Sequence, residues 1–117
     1  MKQSGISEFV EQCHVVRWLS AFHPTALYTA SCAGMRTSIG VARKMKASGA
    51  KAGVPDLMIF EQRRGYAGLF IEMKREHGGT VSPEQKEWLE YLNERWYMAV
   101  VCRGYNDAIK VIGDYLK

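Results

Sequence analysis

The chain has 117 residues, of which 47% are hydrophobic and 24% are charged, a composition typical of one soluble globular domain. We therefore expect a single domain over residues 1–117. The N-terminus lacks the apolar stretch of a signal peptide, and no apolar run approaches the roughly 18 residues that cross a bilayer. We therefore expect a cytoplasmic location rather than a secreted or membrane-spanning protein. Cys13, Cys32 and Cys102 are too few and too far apart for a disulfide framework or a zinc knuckle, and we expect buried reduced thiols.

The net charge is +4 and the isoelectric point is near 9.1, which favours a polyanionic partner without establishing one. The basic residues between positions 36 and 51 are accompanied by no acidic residue. On charge alone, a solvated helix face is the plainer interpretation. These residues are Arg36, Arg43, Lys44, Lys46 and Lys51.

Residues 7–22 are predicted to form a helix that begins at Ser7, with Glu8 and Glu11 in its first turns, where the helix dipole favours acids. An apolar stripe at helical spacing predicts the buried face of this helix; it consists of Phe9, Cys13, Val16 and Ser20, with Leu19 beside them. A short strand over residues 26–30 follows. Thr37 or Ser38 then begins a basic helix that ends near Ser48.

Two apolar runs, residues 57–60 and 68–73, predict strands joined by a turn over residues 62–66. Ser82, with Gln85 three residues later, has the pattern of a capping box, so a helix is expected from there to about Trp96. Residues 98–102 are apolar without interruption, as in a central strand, and Asn106 or Asp107 begins a last helix. The order α-β-α-β-β-α-β-α predicts an α/β domain with a mixed central sheet flanked by helices.

The two predicted strands of this hairpin bring charged residues together. Asp56 and Glu72 are equidistant from residue 64, the centre of the turn, so a symmetric hairpin places them opposite each other with Cβ atoms about 5 Å apart. Because side chains alternate along a strand, Glu72 and Lys74 point to one face. Two carboxylates and one ammonium group are therefore expected in one cluster.

Two carboxylates about 4 Å apart repel each other by roughly 4 kcal/mol at an effective dielectric constant near 20. A divalent cation relieves this repulsion, and Mg²⁺ typically uses one or two carboxylates, with water and substrate phosphate oxygens. The backbone carbonyl of Met73 is a further candidate ligand, and Lys74 is a candidate for holding the attacking water. The alternative is a surface Glu–Lys pair beside an ordinary Pro-Asp turn.

These residues carry a resemblance to the PD-(D/E)XK nuclease superfamily and, more narrowly, to stand-alone virus-type replication-repair nuclease (VRR-NUC) domains of bacteria and phages. The resemblance implies a restriction-endonuclease-like fold, Mg²⁺- or Mn²⁺-dependent hydrolysis of DNA that leaves 5′-phosphate and 3′-hydroxyl ends, a substrate like a Holliday junction, and a homodimer in a bacterial or phage-infected cell. The matching segments are Gly53-Val54-Pro55-Asp56, Ile71-Glu72-Met73-Lys74, Ser82-Pro83-Glu84-Gln85 and Ala99-Val100-Val101.

The resemblance also implies one more metal-site residue on the first helix. Glu8, acting with Gln12, is favoured here, and Glu11 is the close alternative. Gln85 is a candidate site residue as well as a helix cap. The basic residues of positions 36–51 become candidate phosphate contacts. The loop over residues 31–35 departs from the Asn-Gly-Gly-like loop of relatives, so no substrate role is implied for it.

Two other functions remain open from the sequence. One is a branched-DNA-binding module that has the same fold and does not cut. The other is an assembly subunit whose apolar faces serve oligomerisation alone.

Overall fold

A computed structural model describes residues 7–32 and 34–117. The expected domain range includes residues 1–6, and the loop 31–35 includes Ala33; these residues lie outside the described ones. The helices and strands confirm the predicted order and type of all eight elements. They are α1 (Glu8–Phe22), β1 (Tyr28–Ala30), α2 (Ile39–Ala47), β2 (Leu57–Ile59), β3 (Leu69–Lys74), α3 (Pro83–Glu94), β4 (Met98–Arg103) and α4 (Tyr105–Tyr115).

The four strands form one mixed sheet in the order β1-β2-β3-β4. β2 is antiparallel to both β1 and β3, whereas β4 is parallel to β3. Leu57 pairs with Ile71 and Ile59 with Leu69, so the predicted hairpin register is confirmed. The prediction that residues 98–102 form a central strand is wrong, because β4 lies at an edge of the sheet. Its apolar residues are explained by the helices α3 and α4 that pack against it.

The side chains of β3 alternate between two hydrophobic layers. Leu69, Ile71 and Met73 join the core formed with α1 and α4, whereas Phe70 joins the smaller core formed with α3. All six residues of β3 are buried. Glu72 and Lys74 therefore belong to the face on which α3 packs, at the end of the most protected strand.

The predicted buried face of α1 is wrong in part: Leu19 is buried and Val16 packs against the core, but the other predicted residues are exposed. Val15 and Leu19 are the apolar residues of α1 that the core buries completely, whereas Phe9 is 65% exposed and Cys13 is also exposed. Both stripes have the helical period, and packing of α1 against α4 and β3 selects the one that contains Val15.

Three smaller expectations also fail. α3 ends at Glu94, and Trp96 is 75% exposed with a left-handed backbone, φ +70°. α4 begins at Tyr105 rather than at Asn106 or Asp107, since the Asp107 carboxylate accepts a hydrogen bond from the backbone N–H of Arg103. Of the cysteines, Cys102 alone is buried, and burial raises its pKa to about 12.

Every residue from Gly34 to Ala52 is exposed, so the basic helix α2 projects into solvent. No helix within residues 7–32 and 34–117 is both long and apolar enough to cross a membrane.

Candidate active site

The turn before β2 packs directly on the start of α3. Gly53 has a φ of +90°, and a Cβ at this position would lie 2.6 Å from the backbone carbonyl carbon of Glu84. This contact and the positive φ together require glycine. The indole N–H of Trp88 donates a hydrogen bond of 3.0 Å to the carbonyl of Ala52. The segment that ends in Asp56 is thereby held against the helix that carries Gln85.

Asp56 lies at the entrance to β2 and bonds to the neighbouring strand. Its Oδ2 accepts a hydrogen bond of 2.7 Å from the backbone N–H of Met73, and its carbonyl accepts one from Ser31. In a β-strand, the N–H and the carbonyl of one residue point to the same side. The Met73 carbonyl is therefore directed toward the side on which Asp56 lies.

Glu72 is 2% exposed and lies among polar groups of two elements. Its Oε2 accepts a hydrogen bond of 3.0 Å from the Gln85 side chain and lies 3.9 Å from the Lys74 Nζ. Lys74 is itself 7% exposed. Within residues 7–32 and 34–117, the Glu72 Oε1 is buried and makes no hydrogen bond. A buried polar atom without a partner costs free energy, so this oxygen is suited to accept a ligand such as a cation.

Burial, followed by the negative charge and the hydrogen bonding of Asp56, raises the pKa of Glu72 from 4.5 to about 8. The positive charge of Lys74 lowers the pKa of Glu72, and the charge of Glu8 raises it. Strong perturbation by burial together with a specific charged partner is typical of functional sites. Without a cation, the Glu72 carboxyl is therefore mainly protonated at neutral pH.

Gln85 makes contacts that suit both of the roles considered for it. Its side-chain oxygen accepts a hydrogen bond of 2.9 Å from the backbone N–H of Ser82, and this contact completes the capping box. Its side-chain nitrogen donates to Glu72. One amide thus couples the beginning of α3 to the buried carboxylate, and its role in a reaction remains a prediction.

The structure separates the three candidates on α1. The backbone N–H of Tyr105 donates a hydrogen bond of 2.8 Å to Glu11, so Glu11 caps α4. Glu8 and Gln12 instead line one cavity together with Asp56. A Cβ at Gly79 would lie 3.5 Å from the Glu8 Oε2 and 3.8 Å from the Lys74 Cδ, so Glu8 is also close to Lys74. Geometry thus places Glu8 near the acidic cluster, which is formed by Asp56 and Glu72. Glu11 instead makes a structural contact at the start of α4.

The donor atoms fit a Mg²⁺-type cation more readily than a zinc site. Among the described residues, no three side chains of the types His, Cys, Asp and Glu are grouped to hold a metal ion. Mg²⁺ does not need such a group, because it retains waters and takes one or two carboxylates with substrate oxygens. The unpartnered oxygen of Glu72, the carboxylate of Asp56 and the carbonyl of Met73 are all hard oxygen donors of this kind.

The structure does not bring the basic residues of α2 into contact with the acidic cluster. Arg43, Lys44 and Lys46 are exposed on α2, and Arg36 and Lys51 are exposed on either side of it. The sequence reasoning missed Arg103, which pairs with Lys74 across β3 and β4. Its guanidinium donates to the carbonyls of Gly78 and Gly79 and so holds the loop that adjoins Glu8. Its position directly after the predicted strand 98–102 was the only signal in the sequence, and the pairing with Lys74 appears only in the structure.

Comparison with known proteins agrees with this arrangement. The family model described as "VRR-NUC domain" matches residues 3–106. A solved structure described as "VRR_NUC domain protein" is 31% identical, covers 97% of this chain and 90% of its own, and superposes with a TM-score of 0.81. A search of curated proteins gave no match. The mixed α/β architecture is thus that of a PD-(D/E)XK-like fold, and the chain belongs to the VRR-NUC domain family, a nuclease-type family of DNA-processing domains.

Proposed function

We propose that this chain is a Mg²⁺- or Mn²⁺-dependent DNA endonuclease, organised as one domain over residues 1–117. The observation that carries the proposal is Glu72, a buried carboxylate with an unpartnered oxygen and a raised pKa, placed beside Asp56 and Lys74. A surface ion pair does not explain this arrangement, because burying a carboxylate without a full set of partners costs free energy. It is expected where a cation is to be held against a phosphodiester.

Each residue has a distinct role in the proposed reaction. Asp56, Glu72 and the Met73 carbonyl hold the cation, with Glu8 as a further ligand. When bound, the cation polarises a phosphoryl oxygen and lowers the pKa of a water. Lys74 orients the attacking water and balances negative charge that grows on the phosphate. Gln12 and Gln85 position the carboxylates, and cleavage leaves 5′-phosphate and 3′-hydroxyl ends.

The proposed substrate is branched DNA of the Holliday-junction type, cut by a homodimer. A two-fold dimer presents two identical sites to two symmetry-related strands. The exposed basic helix α2 supports a polyanionic partner, because phosphate contacts supply most of the affinity for DNA. Its residues are the proposed phosphate contacts, together with Arg36 and Lys51.

The test is a cleavage panel of branched and linear DNAs in Mg²⁺ or Mn²⁺. Lys74→Ala and Asp56→Asn are expected to reduce cleavage by at least roughly 100-fold while leaving the fold intact, as removal of transition-state stabilisation does in other enzymes. Lys110→Ala, at an exposed position of α4, serves as the control and should cut at the parental rate.

Paired symmetric nicks on a four-way junction would support the dimeric resolvase, and a single asymmetric nick would contradict it. Parental cleavage rates in Lys74→Ala or Asp56→Asn would contradict the assigned site. A chain that binds junctions without cutting them, and that shows no carboxylate-dependent binding of Mn²⁺ by calorimetry, would instead be a binding module.

A further inference from the structure

A cavity of about 730 Å³ lies beside the acidic cluster, between α1 and the segment that follows β1. Its α1 wall carries Phe9, Cys13, Val16 and Ser20. These residues belong to the apolar stripe that helical spacing predicted for the core. Val16 packs partly against the core, whereas Phe9, Cys13 and Ser20 are exposed. At a rise of about 1.5 Å per residue, the wall extends along α1 for roughly 18 Å from Glu8 to Ser20.

The cavity has the surface of a binding site rather than of a packing defect. Phe9 is 65% exposed, and Met35 on the facing wall is 60% exposed. Polar groups of Gln12 and Ser20 are interspersed among these apolar side chains. Small-molecule sites of this volume typically combine apolar walls with a few polar groups that fix orientation.

The charges on the cavity wall restrict what it can bind. Two carboxylates, those of Glu8 and Asp56, face a single cation, that of Arg17. Away from the proposed cation site, a phosphodiester backbone along this wall would meet one positive charge, that of Arg17, and mainly apolar side chains. An uncharged, planar heterocycle would instead place its faces on Phe9 and Met35 and its edges near Gln12.

We propose that this cavity receives the base of an unpaired nucleotide adjacent to the scissile phosphate. The inference rests on the proposed nuclease function and deepens it, because Asp56 and Glu8 belong both to the cavity wall and to the proposed cation site. A phosphate held there has its own base within one nucleotide of the cavity. A base in a continuous duplex is stacked and paired, and extruding it costs free energy that an unpaired base does not require. The cavity therefore favours branched DNA in which the nucleotide at the cleavage point is unpaired, so a four-way junction must open a base pair at its branch point to fill it.

The test uses the Lys74→Ala chain with Mg²⁺, so that the DNA remains intact, and measures binding by fluorescence anisotropy. Two branched DNAs are compared, identical except that one lacks the base of the unpaired branch-point nucleotide. Since stacking of one base on an aromatic side chain contributes about 1–3 kcal/mol, removal of the base should weaken binding by roughly 5- to 150-fold. Adding Phe9→Ala should abolish this difference between the two DNAs.

Phe22→Ala is the matched control, because Phe22 is another phenylalanine of α1, 69% exposed and outside the cavity wall. It should leave the base dependence intact. Equal binding of the two DNAs by the Lys74→Ala chain would overturn the proposal, and so would equal effects of Phe9→Ala and Phe22→Ala. A change in sedimentation with Phe9→Ala, without any change in base dependence, would assign the cavity to a second copy of the chain and also overturn it. Failure of the chain with Lys74 to cut any DNA would refute the nuclease function. The anisotropy result would still decide whether the cavity binds a base.

Discussion

Replacing Glu72 by glutamine removes a buried titrating group while keeping its shape and its ability to accept the hydrogen bond from Gln85. The wild-type Glu72 has a pKa of about 8 in the folded protein and about 4.5 when exposed, because burial and Asp56 oppose its ionisation. Between these pH values the folded state holds a proton that the unfolded state has lost. The contribution of Glu72 to stability is therefore complete below pH 4.5 and is lost as pH rises through 8.

The size of this effect follows from the two pKa values. At about 1.4 kcal/mol per pKa unit, a rise from 4.5 to about 8 corresponds to at most about 5 kcal/mol across the whole window. Between pH 6 and pH 8, the free energy of unfolding of the wild type should fall by up to about 3 kcal/mol relative to that of Glu72→Gln. A cation that binds the ionised carboxylate should reverse this loss in the wild type.

The assay is denaturant unfolding at a series of pH values with a chelator present, followed by the same series with Mg²⁺. Glu87→Gln, at an exposed position of α3, is the matched control and should follow the wild type. Parallel curves for the wild type and Glu72→Gln between pH 5 and pH 8.5 would refute the reasoning. Stabilisation of both proteins by Mg²⁺ to the same extent would refute the role of Glu72 in binding it.

Three further predictions concern the surroundings of Glu72. Gln85→Ala removes a helix cap and a donor to the carboxylate, so it should lower the free energy of unfolding by about 1–2 kcal/mol and shift the pH profile of cleavage upward; an unshifted profile would make Gln85 a cap alone. Glu11→Ala should lower the free energy of unfolding, measured with denaturant, and leave the Mn²⁺ affinity unchanged. Glu8→Ala should leave the stability unchanged and lower the Mn²⁺ affinity, measured by calorimetry. Equal effects of the two variants on Mn²⁺ binding would contradict the separation of Glu8 from Glu11. Alanine at the three basic positions of α2 should leave the melting temperature unchanged, since the helix is exposed, and reduce the salt dependence of DNA binding by about 0.9 per lost phosphate contact; an unchanged salt slope would remove α2 from the interface. These positions are Arg43, Lys44 and Lys46.

Local signals in the sequence were sufficient for the elements and for the hairpin. The capping box at Ser82 and the turn centred on residue 64 act over a few residues, and both are present in the structure. The buried face of α1 was not predictable in the same way, because the stripes of Phe9 and of Val15 have the same period. Packing against α4 and β3, both distant in the chain, distinguishes them.

The candidate site shows the same division between local and distant information. Asp56, Glu72 and Lys74 converge through one hairpin, so their proximity could be derived from spacing. The separation of Glu8 from Glu11 depends on Tyr105, which is 94 residues from Glu11. Pairing of Arg103 with Lys74 depends on a parallel crossover through α3. The contacts of residues such as Glu11 and Arg103 can therefore be assigned only from the tertiary structure.

The motifs around Gly53, Glu72 and Ser82 are separate in the sequence but pack against one another in the structure. Adding one methyl group at Gly53 should test whether this packing positions the site. In Gly53→Ala, the new Cβ would lie 2.6 Å from the Glu84 backbone, so the start of α3 must move and carry Gln85 away from Glu72. Gly49→Ala is the matched control, because Gly49 also has a positive φ, +110°, but no atom within 4 Å of the added Cβ. Both variants should lose about 1 kcal/mol of stability from backbone strain. Only Gly53→Ala should also lose Mn²⁺ affinity and cleavage, measured by calorimetry and on the DNA panel. Equal losses of activity in the two variants would show that the turn does not position the acidic site through α3.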